Sequence, residues 1–81
     1  MLNKQVVSFL GWCGVAAIIS AYALLNLGFF EVGDIWYQGL NLAGALCIIV
    51  DSLNDKDYQP VVLNIFWALI AVWVILRTFI A

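Results

Sequence analysis

The side chains that could do chemistry inside the apolar runs of this sequence are amides and aromatics. Gln38 and Asn41 lie three residues apart in YQGLNLAGA, Asn64 and Trp67 three apart in PVVLNIFWALIAV, and Tyr22 in IISAYALLN. An amide donates and accepts hydrogen bonds but does not titrate. These residues therefore suit two tasks: bonding one helix to another, or holding a small neutral solute. Proton transfer and metal binding have weaker footing. The chain has no histidine. Its charged residues are Lys4, Glu31, Asp34, Asp51, Asp55, Lys56, Asp57 and Arg77, and none lies in the middle of an apolar run. No paired carboxylates, nucleophile–base set or metal-ligand spacing is visible, so neither enzymatic activity nor a cofactor is expected. Cys13 and Cys47 read as small apolar packing residues. If the first two helices are antiparallel, both cysteines lie toward the same face. A net charge of −2 with no basic patch gives nucleic acid no electrostatic footing.

The elements that must position these groups follow from hydropathy. Of the 81 residues, 67% are hydrophobic and only 10% charged, with a mean hydropathy of +1.09. A soluble domain of this size has too little interior to hide that much apolar surface. The charges divide the chain into three uncharged runs: Gln5–Phe30, Ile35–Val50 and Tyr58–Leu76. About 20 apolar residues in a helix cross a bilayer core of about 30 Å. The first and third runs suffice. The second reaches roughly 24 Å, so Asp34 and Asp51 would sit at the two interfaces with local thinning of the bilayer.

The spacing predicts an all-α integral membrane protein, a single three-helix domain spanning 1–81 with helices over about 6–27, 35–53 and 60–79. Gly28 is available to end the first helix, and Asp34 to cap the second. Asn54-Asp55-Lys56-Asp57 forms the second connection. Pro60 falls in a first helical turn, where a missing amide hydrogen is tolerated. Lys4, the apolar run and Ala21-Tyr22-Ala23 resemble a signal peptide, but the run continues through Leu24, Leu25, Phe29 and Phe30, which favours a retained helix. Three crossings put Lys4 and Lys56 on one side and Arg77 on the other, so the positive-inside count places the N-terminus in the cytoplasm.

Each helix has a distinct stripe. Gln38, Asn41 and Ala45 share one face of the second helix, with Gly44 beside them. Asn64, Trp67, Ala68 and Ala71 share a face of the third, and Gly11, Gly14, Ala17 and Ala21 mark the first. Small faces let membrane helices approach closely, and amides hydrogen-bond across the seam. The candidate packing or solute-lining residues are therefore Gly14, Tyr22, Gln38, Asn41, Gly44, Asn64 and Trp67. Asn41 and Asn64 differ in depth by roughly 10 Å, too far to bond each other within one bundle. Tyr22, Asn41, Asn64 and Trp67 are the set for a polar cleft. Trp12, Tyr22, Trp36, Tyr37 and Tyr58 suit an aromatic belt at headgroup level. Arg77 lies level with Glu31 and Asp34, for pairing with them or for snorkelling to the interface.

These stretches resemble a family of small bacterial membrane proteins of unknown function, the locus-tag-named CBU-like domain family. The likeness rests on Gly11, Trp12, Gly14 and Tyr22, on Tyr37, Gln38, Asn41 and Gly44, and on Pro60, Asn64 and Trp67. It covers nearly the whole chain. It implies three membrane helices and a bacterial inner-membrane location, and brings no activity with it. A weaker likeness is to half-size sugar transporters of the SemiSWEET type. Their first helix carries a Pro-Gln hinge, which this sequence lacks; Gln59-Pro60 is reversed and misplaced.

The expected function is that of a self-associating helical bundle with a structural or accessory role. Its partners would be the lipid bilayer and a second copy or another membrane protein. The alternative is a dimeric transporter or pore for a small neutral solute.

Overall fold

The computed structural model describes residues 3–80, which form three helices: α1 (Lys4–Asn26), α2 (Ile35–Asn54) and α3 (Tyr58–Ile80). The fold is all-α, a three-helix bundle.

Each boundary has a local cause. The side chain of Asn3 accepts from the amides of Gln5 (2.9 Å) and Val6 (3.4 Å), so α1 begins at Lys4 and not at the first apolar residue, Val6. Asp34 caps α2 by accepting from the Trp36 amide at 3.0 Å. α3 starts at Tyr58, two residues before Pro60. Pro60 is thus still in the first turn, whose amides have no acceptor within the helix.

α1 and α2 end in the same motif. Gly28 takes φ +90, its amide donates to the Leu25 carbonyl at 3.2 Å, and that of Phe29 donates to Leu24 at 2.9 Å. After α2, Lys56 takes φ 57, donating to Leu53 at 3.1 Å, and Asp57 donates to Ser52 at 2.9 Å. Both loops thus satisfy the last carbonyls of their helices. Glycine adopts this backbone freely, whereas lysine is strained there.

α2 lies in the middle. α1 and α3 each pack on it, and among the described residues no Cα of α1 approaches one of α3 within 8 Å. The helices alternate in direction. Lys4 Nζ reaches Asp55 Oδ1 at 3.7 Å, tying the start of α1 to the end of α2, while Val32 of the first loop and Arg77 near the end of α3 border one pocket. The bundle is 41 Å along its longest axis.

What is buried is small or polar. α1 buries Val7, Gly11, Gly14 and Ala21. α3 buries Val61, Asn64, Ala68 and Ala71. As the central helix, α2 buries more: Tyr37, Gln38, Asn41, Gly44, Ala45 and Ser52. The steps of three and four along α1 and α3 keep one narrow stripe on α2. The large apolar side chains, among them Phe9, Ile19, Phe66, Leu69 and Trp73, are exposed.

α1 and α3, with mean hydropathies of 1.8 and 2.1, are long and apolar enough to cross a membrane. α2 has the length, at 20 residues, but does not reach the same hydropathy. By length and hydropathy, two of the three expected crossings are supported. The cause of the shortfall in α2 is the polar content of the central helix, which carries Gln38, Asn41, Asp51, Ser52 and Asn54.

Candidate functional site

Six of the seven candidate residues fall into a seam, a cleft and a groove; Asn64 stands apart. The seam is the crossing of α1 and α2 at Gly14 and Gly44. A Cβ on Gly14 would lie 2.5 Å from the Gly44 carbonyl oxygen and 3.0 Å from Cβ of Cys47. A Cβ on Gly44 would lie 2.8 Å from the Gly14 carbonyl oxygen. Real Cβ atoms do not tolerate such distances, so the two backbones meet directly at this point. Cys47 packs beside the crossing, Cys13 is exposed, and both thiols are free.

The cleft lies between α2 and α3, with a volume of about 220 Å³, and its walls include Val32, Tyr37, Gln38, Asn41 and Trp67. Gln38 and Asn41 are both 5% exposed, yet their amides do different things. The Gln38 Nε2 donates to the Val32 carbonyl at 2.8 Å, fastening the first loop to α2. Asn41 makes no side-chain hydrogen bond among the described residues. Among the described residues no side-chain nitrogen or oxygen is wholly sealed without a partner, so the Asn41 amide meets the open space of the cleft. Trp67, 41% exposed, forms part of the opposite wall.

The groove runs between α1 and α3, whose described Cα atoms stay more than 8 Å apart. Ile18, Ile19, Tyr22 and Trp67 line about 390 Å³ there. Trp67 therefore separates two spaces: the amide-bearing cleft on one side and an apolar groove containing Tyr22 on the other.

Asn64 joins neither space. It is buried, and its Nδ2 donates to the Pro60 carbonyl at 2.8 Å, one turn back in its own helix. The expectation that the amides bond across helix seams is corrected here: Gln38 bonds to the preceding loop, Asn64 bonds within its own helix, and Asn41 bonds to no described side chain or backbone group. Arg77 meets its expected level but not the pairing with Glu31 or Asp34. It reaches the level of the first loop, beside Val32 and Gly33, but the one ion pair among the described residues joins Lys4 and Asp55. Tyr37 does not belong to an exposed belt. It is buried and packs on Phe30, with ring centroids 6.2 Å apart and planes at 59°. Trp12, Trp36 and Tyr58 are exposed.

Sequence reasoning missed three walls of the cleft, Val32, Tyr37 and Ile70. Tyr37 is four residues before Asn41, so helical periodicity was a usable signal. Val32 is a loop residue, and no periodic signal places it.

Residues 7–81 match the model of an uncharacterised family known by a locus-tag name. The chain belongs to that family. The family match takes in all three helices except the first residues of α1, so the seam, cleft and groove of this family member all lie within it. No protein of curated function and no solved structure matches the chain.

Proposed function

We propose that this is a multi-pass protein of the bacterial inner membrane, with three crossings and a cytoplasmic N-terminus. Its role is structural or accessory and not enzymatic. It works by association, through its apolar outer surface, with a second copy or with another membrane protein. The observation that carries this reading is the distribution of side chains. Only 22% of the most apolar stretch of α1, and 22% of that of α3, is buried. The core helix of a soluble protein is mostly buried, and a soluble core is filled with Leu, Ile, Val and Phe. Here the interior holds glycine, alanine and amides while the large apolar side chains face outward. That arrangement suits a lipid solvent, in which close packing of small faces replaces hydrophobic burial. The lower hydropathy of α2 fits the same picture. Its polar groups are turned toward protein, where a membrane helix tolerates them.

The test is extraction from membranes. The expressed protein is expected to stay with membranes through an alkaline carbonate wash and to cross-link to itself or to a membrane partner. Release into the supernatant would contradict the reading.

Asn41 favours a second reading, in which the cleft holds a small neutral solute. A buried amide without a partner among the described residues is a ready recognition group, and the indole of Trp67 offers a flat apolar wall. Uptake of candidate sugars and osmolytes into vesicles containing the purified protein tests it. Solute-specific flux that is lost in Asn41→Leu supports a carrier or pore; uniformly absent flux removes it.

A further inference from the structure

The α1–α2 seam holds an ionisable side chain that no described residue pairs with. Asp51 stands in the last turns of α2, one turn before Asp55. Its carboxylate fills the space that a side chain on Gly11 would take. A Cβ on Gly11 would lie 2.7 Å from Asp51 Cγ and 2.8 Å from Asp51 Cβ, with Oδ2 nearer still. Gly11 is buried in the α1 stripe, so the missing side chain there is what admits the carboxylate into the seam. Lys4 pairs with Asp55 instead. Among the described residues the Asp51 carboxylate makes neither a hydrogen bond nor an ion pair.

The same carboxylate borders a pocket of about 200 Å³ whose other walls are Gly11, Trp12, Val15 and Ile48. The pocket therefore combines one anion, one indole and apolar surface. An ammonium group matches that combination, because the carboxylate supplies the countercharge and the ring face attracts a cation. We propose that this pocket binds an ammonium group, primary or quaternary, with Asp51 as the anion and Trp12 as the aromatic wall. The site lies roughly 6 Å, one helical turn, inward of the Lys4–Asp55 pair. An ammonium can come from the headgroup of a zwitterionic lipid or from a free amine in solution. The lipid source rests on the membrane reading above, while the free-amine source does not.

The experiment uses the full chain in detergent. Tetramethylammonium and ethylammonium chlorides are titrated against sodium chloride at constant ionic strength. In parallel, native mass spectrometry compares retention of phosphatidylethanolamine with that of phosphatidylglycerol. Saturable amine binding without headgroup preference assigns the pocket to a free amine, and ethanolamine preference without amine binding assigns it to lipid. In either case Asp51→Asn is expected to weaken binding by about ten- to a hundredfold, the usual worth of a charge-assisted bond. Helix content by circular dichroism should be unchanged. Trp12→Leu, on an exposed side chain, is expected to weaken binding several-fold and serves as the second variant. Absence of both kinds of binding, or unchanged affinity in either variant, overturns the proposal without touching the membrane reading, which the carbonate wash tests separately.

Discussion

Gly14 of α1 and Gly44 of α2 meet backbone to backbone, each occupying the space where the other would carry a side chain. A Cβ on either would lie within 2.8 Å of the opposite carbonyl oxygen. This contact sets how closely α1 approaches the central helix. It also sets the line along which Gly11 faces Asp51 and Ile18 faces Gly44.

Substitution at the crossing should therefore be disruptive. Gly14→Ala and Gly44→Ala are each expected to lower stability by about 1–3 kcal/mol, the usual range for overpacking a tight contact. Gly39 is the control, since a Cβ there meets nothing within 4 Å. Gly39→Ala should raise stability by up to about 1 kcal/mol through helix propensity alone. Unfolding of the detergent-solubilised variants, followed by circular dichroism, separates the two cases. Equal effects at Gly39 and Gly14 would remove the crossing as a determinant of packing.

The two left-handed positions predict effects of opposite sign. Lys56→Gly should stabilise by about 1 kcal/mol, because it relieves a backbone that L side chains adopt reluctantly. Gly28→Ala should destabilise by about the same amount for the converse reason. Thermal midpoints of both variants, measured in one detergent, check the pair.

The amides differ in what their loss removes. Gln38→Leu takes away the bond to the Val32 carbonyl and should lower stability by about 1 kcal/mol. Asn41→Leu breaks no hydrogen bond among the described residues, so stability should change by less than about 0.5 kcal/mol. If the cleft holds a solute, binding should nevertheless disappear. Calorimetric unfolding compares the two variants. A large loss of stability in Asn41→Leu would show that its amide serves the fold.

Much of the fold was legible because long apolar helices announce themselves twice, in uncharged runs and in stripes of small residues. The stripe of Gly11, Gly14 and Ala21 is buried as a stripe, and Asp34 and Gly28 cap and terminate as their types suggest. Asn3 was less visible because it precedes polar residues, and a start placed at the first apolar position passes over it. The Lys56 backbone was hidden for a related reason: its residue type does not advertise a left-handed conformation. Side-chain partners were the least legible. Periodicity puts Asn64 on an inward face but does not say whether its amide reaches across the seam or back to Pro60, and the i−4 carbonyl is always within reach. The central place of α2 was also invisible, because three amphipathic stripes do not state which helix lies between the other two.

In the proposed topology three helices cross the bilayer in alternating directions. That topology is tested most directly by accessibility of single cysteines in intact cells and inverted vesicles, on a background with Cys13 and Cys47 replaced by alanine. Lys4→Cys, Gly33→Cys and Lys56→Cys sit at the start of α1, in the first connection and in the second. Gly33 is preferred to Asp34 because it leaves the α2 cap intact. A membrane-impermeant maleimide is predicted to reach Lys4→Cys and Lys56→Cys from the cytoplasmic face only, and Gly33→Cys from the opposite face only. Labelling of Lys4→Cys and Gly33→Cys from the same face would contradict the account.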